Sequence, residues 1–367
     1  MERSKKKFKL KDNLDIIMAL VVVTVVFMII IPMPAELLDV LISFNITLSI
    51  IIILLTLFTT EVLQFSVFPT LLLITTIFRL ALNISSTRLI LRDGYAGSVI
   101  NAFGSFVVGD NYIVGIIIFL IIIIIQFVVI TNGSGRVAEV SARFTLDAMP
   151  GKQMSIDADL NSGLIDEKGA RDKREKLQEE ANFYGSMDGA SKFVKGDAVA
   201  SLLIVVINIV AGIVIGIVIK GMGASEAAQT YVKLSIGDGL VSQVPALLIS
   251  TASGILVTRS GSAEGFGTLA IKQLTGFPKV IAIAGAVLLF LAVVPGLPHI
   301  PFLILSVSCM IAAYLLHKDE LQHNMQQQEI KQQEITQIEN KEPENVMNLI
   351  SVEPMEVEIG YGLIPLA

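Results

Sequence analysis

The sequence predicts an all-α polytopic membrane protein with about eight transmembrane helices and a small cytoplasmic insert between helices four and five. Three observations carry that expectation. The 367 residues are 53% hydrophobic and 16% charged, with a mean hydropathy of +0.73, whereas a soluble chain runs at roughly 25% charged. Long apolar runs recur through the chain, and the two groups they form are separated by a stretch crowded with acids and bases. The single cysteine, Cys309, lies inside an apolar run, so no disulfide scaffold is available.

In hydrocarbon every backbone polar group must be satisfied internally, so a crossing segment is a helix of about 20 apolar residues. The first four segments that qualify run from Leu14 to Ile31, Leu38 to Phe58, Val62 to Leu82 and Val107 to Ile130. The second four run from Ala198 to Ile219, Ile236 to Val257, Val280 to Val294 and Pro301 to Leu316. The first follows Lys5, Lys6, Lys7, Lys9 and Lys11, but it lacks an A-x-A cleavage site and exceeds a signal h-region of about 7 to 15 residues. It reads as an anchor that stays. The lysine cluster places the N-terminus in the cytoplasm, and an even number of spans places the C-terminus there too. Arg79, Arg88 and Arg92 fall against this pattern, on the side expected to face outward. Three arginines there imply backbone buried in protein rather than a free loop.

The insert, residues 132–197, carries twelve acids and ten bases in 66 residues and is water-facing. It is too small for much core of its own. Ala170, Leu177, Ala181 and Tyr184 recur at helical spacing, so Asp166 to Tyr184 is expected to be an amphipathic helix leaning on a neighbour. Glycines 185, 189 and 196 are expected to break the chain before the fifth span. The organisation is therefore 1–131 for the N-terminal tail and first four helices, 132–197 for the insert and 198–316 for the last four helices. An acidic polar linker follows at 317–345, and 346–367 is the start of a truncated cytoplasmic domain. Residues 317 to 367 hold 10 Asp/Glu against 3 Lys/Arg. Met355, Val357 and Ile359 alternate with Glu356 and Glu358 as in a half-buried strand.

Several familiar chemistries lack support. Gly133-Ser-Gly135-Arg-Val-Ala138 has the spacing of a dinucleotide fingerprint but neither the strand nor the βαβ unit it requires. Its glycines read instead as the place where the chain leaves the membrane. Asp157, Asp159 and Asn161 start a calcium-loop spacing that fails at Ser162 and Lys168. His299, His317 and His323 have no partners at ligand spacing, so no metal, cofactor or triad is expected. No basic face interleaves with aromatics, which excludes nucleic acid as a partner. The chain is not expected to be an enzyme. Gly212 and Gly216, and Ala282 and Ala286, suit close helix packing.

What remains is charge where charge is costly. Asp238 lies between Gly237 and Gly239 at the start of the sixth span, and Asp197 precedes the fifth. Ionising a carboxylate at the edge of hydrocarbon costs desolvation free energy, and such groups mark ion and proton pathways. The bland alternative is an interfacial helix end. Arg143 and Asp147, four residues apart with Arg136 two turns earlier, form a second candidate group, for which a surface ion pair worth a few tenths of a kcal/mol is the bland reading.

The stretch RVAEVSARFTLDAMPGKQMSIDADLNSGLID from Arg136 to Asp166, with FRLALNISSTRLIL from Phe78 and MDGASKFVKGDA from Met187, resembles the FHIPEP family. These are the large export-gate subunits of type III secretion systems, and the wording looks more like the flagellar member than its virulence-associated paralogues. The resemblance implies a nonameric ring in the bacterial inner membrane that couples proton motive force to export of unfolded subunits. It implies as partners the other membrane subunits of the gate and the cytoplasmic export ATPase complex. Substrates and chaperones would dock through the missing C-terminal domain. It also implies that Arg136, Arg143, Asp147, Asp188, Lys192, Asp197 and Asp238 carry export and proton coupling. A virulence gate is one alternative. An ion-coupled small-solute transporter is another, which would show related halves around a midplane site. A purely structural scaffold is the third.

Overall fold

A computed structural model describes residues 14–109, 111–259, 265–294 and 298–318, with the side chains of 14, 15 and 266 outside the description. The N-terminal lysine cluster, most of the acidic linker and the strand expected at Met355 to Ile359 lie outside these residues. Every regular element described is helical. The chain divides into two units, the first ending at Leu269 and the second beginning at Ala270.

The first unit contains α1 (Leu14–Ile30), α2 (Ala35–Phe58), α3 (Phe68–Asp93), α4 (Ser98–Val108), α5 (Tyr112–Ile124), α6 (Asn132–Asn161), α7 (Glu167–Val218) and α8 (Ala224–Val257). Local chemistry sets their ends. Pro32 and Pro34 separate α1 from α2, Pro69 stands in the first turn of α3, and Gly94, at φ 71°, closes it in a left-handed cap. Asn111 caps α5 by accepting from the amides of Ile113 and Val114, and Asp166 caps α7 by accepting from Gly169 at 2.7 Å. A short 3₁₀ turn, Val62–Phe65, precedes α3. A π-helical stretch, Ile125–Thr131, fuses α5 to α6.

Among the described residues six helical segments are long and apolar enough to span a bilayer, or seven if the bent pair Gly267–Thr275 and Pro278–Val293 is one span. The expected count of about eight is approximate. Two of the expected spans lie on shorter helices, α1 with 17 described residues and Pro278–Val293 with 16, near the lower limit of about 17–25 for a crossing. The third span continues beyond Leu82 to Asp93, so the three dissenting arginines lie on a helix rather than in a loop.

The insert contributes the second half of a long helix and the first half of another. From Tyr112 to Asn161 the chain is one helical segment, and α7 runs on for 52 residues. Gly133, Gly135, Gly185, Gly189 and Gly196 stay helical, so the breaks expected at 185, 189 and 196 do not occur. Each costs about 1 kcal/mol against alanine, and the packing of α7 on α6 offsets this. Phe183, Tyr184, Met187, Ala190 and Val194 bury there with Ala138 and Ala142. Further along, Ala170 and Leu177 bury against Ile156, as their spacing required.

Helix α8 lies at the centre, packed on α2, α3, α4, α5, α6 and α7, and is the most buried of the candidate spans. Close approach needs small residues, since lipid supplies no hydrophobic drive between helices. Gly212 and Gly216 of α7 receive the fully buried ring of Tyr231. Across the α4–α8 contact Gly104 meets the backbone of Lys233, and Gly237 meets the carbonyl of Ile100. Gly237→Val is expected to force these backbones apart and cost about 1–3 kcal/mol or more, read as a lowered melting temperature of the detergent-purified protein. Unchanged melting would show that the contact yields freely.

The second unit contains α9 (Pro278–Val293) and α10 (His299–Lys318). Gly285 faces Cys309 and Met310, and the Ser306 hydroxyl donates to the Gly285 carbonyl at 2.8 Å. Ala282 and Ala286 remain exposed.

Candidate functional site

Charged side chains avoid an apolar interior unless paired, so the buried ones define the site. Arg79, 2% exposed, is the largest fully buried or nearly buried cation of the bundle, and its guanidinium donates to the carboxylate of Asp197, itself 3% exposed. Arg79 lies on α3 and Asp197 on α7, which pack along their length. The pair is incompletely satisfied. Nε and Nη1 of Arg79 and Oδ1 of Asp197 have no hydrogen-bond partner in the protein.

Asp238, 4% exposed on α8, belongs to the same polar core. The Asn208 amide lies 3.4 Å from its carboxylate and donates to Thr87 at 3.1 Å, while Asn83 donates to Ser201 at 3.0 Å. A cavity of about 10 Å³ is bounded by Arg79, Asp238, Asn45, Asn83, Ser86 and Ser242. A second, of about 30 Å³, is bounded by Asp197, Ser201, Ser242, Gln126 and Gln243. Ser242 stands at the wall of both. On its other side Asp197 reaches an open cleft of about 370 Å³ with Thr76, Gly196 and Lys192. The Arg79–Asp197 pair thus lies between an outer cleft and two small polar cavities, and Asp238 lines one of these cavities with Arg79.

The other expected residues lie elsewhere. Asp188 and Lys192 form an i,i+4 ion pair of 2.8 Å on α7, on the approach to Asp197. Arg136, Arg143 and Asp147 are exposed on α6, and no ion pair joins Arg143 to Asp147 despite their spacing.

Arg88 and Arg92 also find roles. Arg88 donates to the carbonyls of Ile29 and Ile30, satisfying the open end of α1, while Arg92 pairs with its neighbour Asp93 at the surface. Arg259 similarly donates to the carbonyls of Thr56 and Leu57 at the end of α2. Sequence reasoning noticed Arg79 only as a topological anomaly. The signal was an arginine inside the apolar pattern of a span. Gln126 carried the same signal as the one polar residue in IIIIIQFVVI.

The chain matches the FHIPEP family over residues 25–367. It is 51% identical over 353 residues to the flagellar biosynthesis protein FlhA of Bacillus subtilis, covering 96% of this chain and 52% of that protein. It is 47% identical to FlhA of Salmonella typhimurium, covering 95% of this chain and 50% of that protein. The low calcium response locus protein D of Yersinia pestis is 48% identical over 324 residues, 88% of this chain and 46% of that protein. The chain spans about half the length of the curated relatives it matches. No solved structure matches it. A match across nearly the whole sequence, joined to a helical membrane bundle built around buried charges, places it: the chain belongs to the FHIPEP family.

Proposed function

We propose that the chain is the membrane-embedded half of an export-gate subunit of the flagellar type III apparatus, coupling proton motive force to translocation of unfolded subunits across the inner membrane. The observation that carries this is the Arg79–Asp197 pair with Asp238 beside it, an ionisable core buried in a multi-helix bundle of a FHIPEP member. Intramembrane ionisable groups are costly, and moving one charge through the field supplies about 2.3 kcal/mol per 100 mV. That suffices to bias states separated by a few kcal/mol.

In this reading Asp197 and Asp238 exchange the coupling ion, Arg79 holds the resting charge pattern, and Asp188 and Lys192 line the approach. Arg136, Arg143 and Asp147 lie on the exposed face of α6, where they meet other subunits or transmit the state of the core outward. The protomer assembles in a nonameric ring with the other membrane subunits of the gate. Residues 132–197 and both termini face the cytoplasm, where the export ATPase complex, substrates and chaperones are met. Identity to the low calcium response locus protein D supports a virulence gate as the second reading.

The test is complementation. The full-length protein, expressed in a flagellate bacterium lacking its own gate subunit, is expected to restore export of flagellar subunits, and export should stop when the membrane potential and pH gradient are collapsed. Export that persists after that collapse would sink the coupling role. Cysteines placed at Ser155 and Ser186 in the same protein should react with a membrane-impermeant thiol reagent only in inverted vesicles. Labelling from outside intact cells would reverse the orientation.

A further inference from the structure

We infer that the outer half of the α6–α7 hairpin is a hinged lid, turning at Pro150–Gly151 on α6 and at Gly185 and Gly189 on α7, over the cleft it forms with the 3₁₀ turn and the end of α8. Its part in export rests on the export-gate reading above; the motion itself does not.

The hairpin holds two separate cores. Nearer the bundle, Ala138 and Ala142 of α6 and Phe183 and Tyr184 of α7 belong to the same core as Phe68 of α3. Farther out, Ile156, Ala170 and Leu177 form a small core of their own. The ion pairs Lys152–Glu180, Arg174–Asp157 and Lys173–Asp159 tie the two helices together there. The outer half is thus built to move as one piece.

Both helices are weakened where one core gives way to the other. Pro150, inside α6, has no amide to donate to the helical ladder. A Cβ added at Gly151, Gly185 or Gly189 would meet nothing within 4 Å. The Lys152–Glu180 pair fixes the antiparallel register, which brings Gly151 within about one helical turn of Gly185. Gly104, Gly212 and Gly237 differ, because each is pressed against a neighbouring helix with no room for a side chain. Gly185 and Gly189 are exposed and do not adopt positive φ. A helix favours alanine at such places. Neither packing nor backbone geometry within the protomer accounts for these glycines, whereas ease of bending does.

The cleft lies beside this weak level. It encloses about 730 Å³ between Lys152, Lys176 and Glu180 of the outer hairpin and Glu61, Leu63 and Thr258 of the bundle. Lys176 reaches across it to Glu61 at 3.1 Å, and both side chains are at least half exposed. Exposed pairs hold weakly, which suits a latch that opens.

The experiment places spin labels at Ser66, beside the 3₁₀ turn, and Ser162, at the hairpin tip, in the full-length protein with its native cysteines replaced by serine. Labelled protein is diluted with unlabelled protein, so that pulsed electron-spin resonance reads distances within one copy. The parent is expected to show a near population and a wider one. Gly185→Ala with Gly189→Ala should reduce the wider population about tenfold, the factor by which two alanines disfavour leaving the helix, and should raise the melting temperature. Glu61→Gln releases the latch and should enlarge the wider population about threefold. Export by the folded double-alanine protein should fall by about the same factor as the wider population.

A single narrow distance in both the parent and Glu61→Gln would overturn the hinge, as would populations that the two alanines leave unchanged. Double-alanine protein that melts lower and loses its assembly on size exclusion would also overturn it, since the glycines would then seat a neighbouring copy. Restricted motion with normal export would uphold the hinge and overturn its part in export. A parent that fails to complement would count against the export-gate reading and leave the distance result standing.

Discussion

Arg79→Leu is expected to be the most damaging single substitution in the bundle. It leaves the Asp197 carboxylate buried without its counter-ion, and breaking a buried pair by deleting one partner costs about 3–5 kcal/mol. Two carboxylates would then share a core with no cation of the chain's own. The full-length variant should melt well below the parent in detergent and assemble poorly in cells. Arg79→Leu combined with Asp197→Leu removes both charges and should regain most of the lost stability, because a packed apolar pair is often as stable as a buried ion pair. Export should stay absent in the double variant. Parent-like melting of the single variant would mean that the pair is not formed in the working protein.

Asp197→Asn should act on function more than on folding. The amide oxygen can still accept from Arg79, so the hydrogen bond between α3 and α7 is kept while the charge is lost. The neutral amide mimics a carboxyl that has taken up a proton, so the variant is held in one state of the coupling cycle. Export is expected to fall by about a hundredfold or more, roughly 2.7 kcal/mol in barrier, with normal amounts of assembled protein. Asp197→Glu keeps an ionisable carboxylate and should retain part of the activity. Normal export by Asp197→Asn, with the same dependence on membrane potential, would reduce Asp197 to a structural partner of Arg79.

These two expectations separate what each residue contributes. Loss of Arg79 removes the charge that makes burial of two carboxylates tolerable. Loss of the Asp197 charge removes the group that takes up the coupling ion. Their phenotypes should therefore differ in protein amount even where both block export.

Much of this site was legible in the sequence, for a physical reason. An aspartate flanked by Gly237 and Gly239 within an apolar run, and another at the head of a span, announce themselves because the surrounding pattern has no place for charge. Local spacing was a poorer guide for Arg143 and Asp147, since four-residue separation puts two side chains on one helix face without making them pair. Glycines misled for a related reason. Their propensity cost is about 1 kcal/mol each, and α6–α7 packing outweighs it, so α7 passes through Gly185, Gly189 and Gly196 unbroken.

The sequence by itself determined the membrane class, the helical content, the family motifs and the candidacy of Asp197 and Asp238, because hydropathy and the cost of buried charge act locally and can be read along a single strand of text. Only the tertiary structure decided that Arg79 is the partner of Asp197, 118 positions away, that Asp238 shares a cavity wall with Arg79, and that Gln126 lines a cavity with Asp197. Those pairings depend on which helix faces meet. That is set by small-residue contacts such as Gly237 against Ile100 and Gly212 against Tyr231; the small residues are visible in the sequence, but the side chain or backbone that each one meets is not.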